Sequence, residues 1–132
     1  MGRRLILDIN ILIAYERGAI DRSALDDDEL AVAAVSIAEY RVGIELADTA
    51  VRAADRSRSL SAMTSVLDVL DYTESTAVYH ARLIAASRRI GRHRGAHDLI
   101  IAAHAAETGR IIISRDSKVR LADLPDDLAL EP

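Results

Sequence analysis

Short apolar runs recur along this chain, each followed or preceded by a stretch with helical spacing, and that alternation leaves few architectures open. Leu5-Ile6-Leu7, within Arg4 to Asp8, is the first run. Leu30 to Val35, Val66 to Leu70 and Ile111-Ile112-Ile113 follow, and Leu128 to Glu131 adds a short edge strand after the turn at Pro125. Runs of this kind suit buried strands, and strands that alternate with helices argue for a parallel sheet covered on both faces. The expected fold is therefore α/β, with a central, mostly parallel sheet of four to five strands.

The helical segments carry their own punctuation. Asn10 to Arg17 reads as a helix closed by Gly18, and Asp21 to Glu29 as a short helix or loop. Ser36 caps a helix that turns Ile37, Tyr40, Ile44, Ala47 and Val51 inward, and a break near Asp48 and Thr49 separates it from a second helix over Ala50 to Met63. Thr73 caps a helix with Ala77, Val78, Ala81, Ile84 and Ala85 at helical spacing. A loop over Gly91 to Gly95 precedes a helix from His97 to Thr108, which Gly109 terminates.

Composition narrows the chemistry. The 132 residues suit one domain spanning 1–132, with a core of Leu, Ile, Val and Ala, since Phe and Trp are absent. With no cysteine, disulfides and thiolate metal sites are excluded, and carboxylate and imidazole remain as ligands. No stretch approaches the roughly 20 apolar residues of a membrane span, and the basic N-terminus leads straight to Asp8, so a soluble, unprocessed, cytoplasmic protein is expected. The net charge of -4 argues against a general electrostatic grip on nucleic acid. The charge is uneven, however: no acid lies between Glu74 and Asp98, where Arg82, Arg88, Arg89, Arg92 and Arg94 all fall.

Four acids sit where these elements meet. Asp8 and Asp116 lie just past the ends of strands, Glu39 lies in the first turn after Ser36, and Asp98 opens its helix. Active sites of open parallel sheets form at the carboxyl ends of the strands, so one edge can gather all four. Carboxylates held close together repel, and a divalent cation cancels the charge. With oxygen ligands only, Mg²⁺ or Mn²⁺ is favoured over zinc, and the matching chemistry is phosphodiester hydrolysis. Structural roles compete: Ser36 and Glu39 have the spacing of a capping box, Asp98 suits a helix N-terminus, and Asp116 suits a turn. Asp8 is harder to explain so, because an acid directly after three buried apolar residues needs a partner.

Four segments, in order, resemble the PIN-domain ribonucleases, and among them the VapC-type toxins of toxin–antitoxin pairs. They are LDINILIAYERG (Leu7 to Gly18), SIAEYRVGIELA (Ser36 to Ala47), HDLIIAAHAAETG (His97 to Gly109) and IIISRDSK (Ile111 to Lys118). The resemblance implies a PIN-like three-layer α/β/α sandwich and a metal-dependent endoribonuclease, with an RNA substrate and a small VapB-type antitoxin whose tail covers the acidic pocket. It makes Asp8, Asp98 and Asp116 direct ligands of Mg²⁺ or Mn²⁺. Glu39 binds through water or completes a second position, and Asn10 and Ser114 support. Ile9 departs from the family's usual Thr or Ser, and Ser114 from its commoner Thr.

Other features divide between function and structure. The arginines from Arg82 to Arg94, chiefly Arg88, Arg89, Arg92 and Arg94, are candidates to hold the RNA backbone, against a helix-dipole role at a solvated helix end. Asp26-Asp27-Asp28-Glu29 reads as a solvated charge run. His80, His93, His97 and His104 lack a zinc pattern; His97 and His104 are two turns, about 10.5 Å, apart. The surplus of apolar residues over Ile37 to Met63 is either simple burial, a groove for an antitoxin helix or a homodimer surface. Two further function classes compete with the nuclease. One is a catalytically inactive PIN-fold binding module. The other is a receiver-like phosphoacceptor domain, which fits poorly because Asp8 lacks an adjacent acid and Lys118 follows Asp116 too closely.

Overall fold

The computed structural model describes residues 2–18, 25–92, 95–114 and 130–131. Strand β1 (Arg4–Leu7) leads into α1 (Ile9–Glu16), and β2 (Glu29–Ala33) runs directly into α2 (Ala34–Glu45). Helix α3 (Ala50–Thr64), β3 (Asp68–Leu70), α4 (Glu74–Arg89), α5 (Ala96–Thr108), β4 (Ile111–Ile113) and β5 (Leu130–Glu131) follow. The strands form one five-stranded parallel sheet in the order β3-β2-β1-β4-β5. The first strand is central, so its carboxyl end is where β1 and β4 present neighbouring residues.

Alternation along β1 divides the core. Ile6 packs with Leu83, Ala86, Leu99, Ala102 and Ile112, under α4 and α5. Leu5 and Leu7 face the other way, onto Ile11, Leu12, Tyr40, Leu60 and Met63 from α1, α2 and α3. Each buried Leu or Ile contributes about 1.5–3 kcal/mol, so the two helical layers are held on opposite faces by the side-chain period of one strand. The outcome is the expected three-layer α/β/α arrangement, with a sheet of five strands.

Several helix ends follow their sequence signals. Thr49 Oγ1 accepts from Arg52 N at 3.1 Å, starting α3 after the expected break. Thr73 and Thr76 form a reciprocal capping box on α4, and Gly109 ends α5 at φ 67°. Other expectations need correction. Helix α2 begins at Ala34, with Ala33 at its cap position and no side-chain cap bond. Ser36 is thus inside the helix and fully buried, its hydroxyl unpaired among the described residues. Glu39 falls in the second turn, so the capping-box explanation of Glu39 does not hold. The inward stripes also shift: Val51 is exposed, and α4 buries Thr76, Leu83, Ala86 and Ser87 while Val78 and Ala81 face solvent.

At the amino ends of the strands, charges pair with one another. Arg3 donates to Asp28 from its backbone N at 2.8 Å and its guanidinium at 3.1 Å, which holds the Asp28 carboxyl below its ordinary value. Arg4 bridges Glu29 at 3.1 Å and donates to Thr108 O, at the end of α5, at 2.7 Å. The acidic run from Asp26 therefore lies at the opposite edge from Asp8, half of it engaged in joining β1 to β2.

Candidate active site

Asp8 is the first residue after β1, and Ser114 the first after β4. Because Leu7 pairs with Ile113, the two emerge side by side at the carboxyl edge. Asp8 N donates to Ile113 O at 3.0 Å, continuing the ladder one step. Asp8 Oδ1 accepts from Ile9 N at 2.8 Å and Oδ2 from Ser114 Oγ at 3.0 Å. Asn10 Nδ2 in turn donates to Ser114 Oγ at 3.4 Å. Asp8, Asn10 and Ser114 thus form one hydrogen-bonded set. Ile9 lacks the family's hydroxyl, but its backbone N–H still meets the acid.

Asp8 is only 7% exposed, and its oxygens meet neutral donors but no guanidinium or ammonium among the described residues. A buried carboxylate in that condition calls for a cation, since burial without one is costly. Each oxygen still has a lone pair free of these bonds.

The other two described acids come from helices on opposite faces of the sheet. Glu39 projects from α2 and meets His97 on α5: Oε1 lies 2.8 Å from Nδ1. Asp98 follows at the third position of α5, its carboxylate folded back so that a Cβ on Gly95 would stand 2.9 Å from Oδ2. Gly95 therefore gives Asp98 room at the helix start. His97 ties the turn that carries Asp98 to the helix that carries Glu39, a role sequence reasoning missed; its one signal was the His97-Asp98 adjacency at a helix start. Ile9 and Glu39 border a common cavity of about 420 Å³, with Arg17 and Arg56 also in its lining. No sequence pattern singled out those two arginines, which come from different elements.

Among the described residues no three His, Asp or Glu side chains form a group able to hold a metal ion. Asp116, the fourth expected acid, and Arg94 lie outside the described residues. Asp8, Glu39 and Asp98 each offer oxygen donors, the type that a hard cation such as Mg²⁺ or Mn²⁺ takes, while His97 Nδ1 is engaged with Glu39. Arg88, Arg89 and Arg92 lie at the end of α4 and just beyond it, all exposed. His104, in contrast, is buried in the core against Tyr72, and burial lowers its pKa against the opposing pull of Glu107 and Asp71.

A parallel sheet with helical layers on both faces makes a three-layer α/β/α sandwich, and Asp8, Asn10 and Ser114 meet at its carboxyl edge. A family model described as the PIN domain matches residues 5–125. The chain belongs to the PIN-domain family. It is 32% identical over 118 residues to Ribonuclease VapC5 of Mycobacterium tuberculosis, covering 89% of this chain and 87% of that protein. It is 27% identical over 119 residues to the tRNA(fMet)-specific endonuclease VapC of Shigella flexneri, covering 87% of this chain and 88% of that one. The crystal structure of VapBC-5, a member of the VapBC family of toxin-antitoxin systems from M. tuberculosis, superposes with a TM-score of 0.81 at 27% identity, covering 98% of each chain.

Proposed function

We propose that this chain is a VapC-type endoribonuclease, a metal-dependent hydrolase of RNA phosphodiester bonds that acts as the toxin of a toxin–antitoxin pair. The observation that carries the reading is Asp8, a buried acid at the carboxyl edge of a PIN fold, held by the Ser114 hydroxyl and Ile9 N with no cationic side chain against it among the described residues. Asp8, Asp98 and Asp116 are the residues that would hold Mg²⁺ or Mn²⁺, with Glu39 binding through water or completing a second position. A bound ion supplies Lewis acidity toward the phosphodiester and lowers the pKa of a water.

The chain's own residues do the rest. Ser114 and Asn10 fix the Asp8 carboxylate, and neighbours that orient a ligand in this way tune its affinity. His97 positions Glu39. Arg88, Arg89, Arg92 and Arg94 draw the phosphate backbone toward the acidic edge, supplying affinity without base specificity. The partner is a VapB-type antitoxin. The elbow of α2 and α3, where Val42, Leu46 and Val51 are exposed, suits an amphipathic helix or a second copy of the chain. A cytoplasmic location belongs to the same reading, and no described helix is long and apolar enough to cross a membrane.

The test is direct. Purified protein is incubated with mixed RNA and Mn²⁺ or Mg²⁺, with and without chelator, beside Asp98→Asn. Cleavage that needs the metal and is lost in the variant is the expected result; cleavage that survives both chelator and substitution refutes the reading.

A further inference from the structure

Beside the acidic edge, between the end of α4 and the start of α5, lies a second cavity of about 600 Å³. Its volume falls within the roughly 300–1,000 Å³ of small-ligand sites. Ile84, Ala96 and Leu99 form an apolar wall, while Arg88 and Arg92 contribute cations and His80 an imidazole edge. Among the described residues no acid lines it, in keeping with the acid-free stretch between Glu74 and Asp98. Ala96 and Leu99 flank Asp98 on α5, so this wall and the proposed catalytic edge share one helical turn.

The shape is held by local bonds. Ser87 Oγ donates to Arg92 O and Arg92 N to Ser87 O, which folds the end of α4 back on itself, and Gly91 takes the positive φ of 69° that this turn requires. His80 is fixed through Nδ1, 2.7 Å from the Tyr72 hydroxyl, which leaves Nε2 as the ring atom for a ligand's polar rim. Cations at the end of α4 would satisfy its dipole without any cleft beside them. The dipole does not explain the apolar wall, in which Leu99 also packs in the core, Ile84 is partly buried and Ala96 is exposed.

We infer that this cleft receives one unstacked nucleotide of the RNA, its base against Ile84, Ala96 and Leu99 and its phosphate on Arg88 and Arg92. The inference rests on the ribonuclease reading and deepens it by giving the substrate a local form. A base inside a duplex is stacked and paired and does not reach a cleft of this kind, so the substrate is single-stranded or looped beside the cut. His80 then meets the edge of the base and contributes to choice among the four.

The test follows the Ile84 and Leu99 methyl groups by NMR, in chelator, during titration with AMP, GMP, CMP or UMP, with inorganic phosphate, and with an acidic peptide. Saturable methyl shifts with at least one nucleotide, and none with phosphate alone, are expected. Arg88→Ala, at an exposed position, weakens that binding about tenfold, the equivalent of one charge-assisted phosphate contact. Ala96→Phe, which fills the cleft from the exposed first position of α5, removes the shifts. Methyls that all four nucleotides leave unmoved, or that move only with the peptide, overturn the inference even when the protein cleaves RNA. Failure of the wild-type protein to cleave RNA overturns instead the ribonuclease reading on which the nucleotide's role depends.

Discussion

At the amino ends of the strands, Arg3 holds Asp28 and Arg4 holds both Glu29 and the last carbonyl of α5. At the carboxyl ends, Asp8 is deeply buried and, among the described residues, its carboxylate meets a hydroxyl and a backbone N–H, while Glu39 meets an imidazole. Among the described residues, one edge pairs its carboxylates with guanidinium groups and the other holds Asp8 by neutral donors. Ionisable groups that neutralise one another tie elements together, whereas a buried anion held by neutral donors marks a site. The contrast sorts the acids of this chain better than their number or spacing does, since the densest acidic run, from Asp26, belongs to the structural edge.

Substitution at the two edges should therefore separate activity from stability. The largest effect is expected from Asp8→Asn and Asp98→Asn, each lowering RNA cleavage at least about a hundredfold, because several kcal/mol of charge stabilisation pass through these groups. Asp8→Asn should at the same time leave Tm unchanged or raised in chelator, since it removes a buried charge that has no counter-ion among the described residues. A marked fall in Tm would instead make Asp8 a structural acid. Next in size, Ser114→Ala should weaken divalent-metal binding about tenfold by freeing the Asp8 carboxylate, while Ser114→Thr retains it.

At the other edge, Arg4→Ala should cost about 1 kcal/mol in denaturant unfolding, mostly through the lost bond to Thr108 O, because its exposed pair with Glu29 is worth little. Steady-state cleavage should not change; a loss of cleavage would erase the distinction between the edges. The smallest effect concerns pH. Burial lowers the pKa of His104 and of His80 below 6.5, so the unfolded chain binds protons more readily than the folded one. Their contribution to stability is complete above the unfolded value and is lost as pH falls below it, toward the folded pKa. Tm should drop between pH 7 and pH 5, and His104→Gln should flatten that slope.

Local signals carried much of the fold. Leu5-Ile6-Leu7 announced a buried strand, Thr49 and Thr73 announced helix starts, and Gly109 announced a helix end, because each acts through neighbours a few residues away. The start of α2 was hidden because the chain passes from β2 into the helix at Ala33 and Ala34 without a capping side chain, and Ser36 drew the boundary three residues late. The α4 face was misread because the sheet and α5 selected Leu83 and Ala86 over the equally spaced Val78 and Ala81. Within the site, Asp8, Asn10 and Ser114 were legible from the family-like segments, yet their contact depends on β1 lying beside β4, a pairing across more than a hundred residues. The bond between His97 and Glu39 joins two helices, and the adjacency of His97 to Asp98 gives no hint of Glu39 as its partner.

Asp8 is proposed as a direct ligand of a divalent cation. Calorimetric titration of Mn²⁺ into the wild-type protein and into Asp8→Asn tests that role most directly, with no RNA or turnover involved. Saturable binding that weakens at least about tenfold in the variant is the predicted result. Equal affinity in the two proteins would contradict the account.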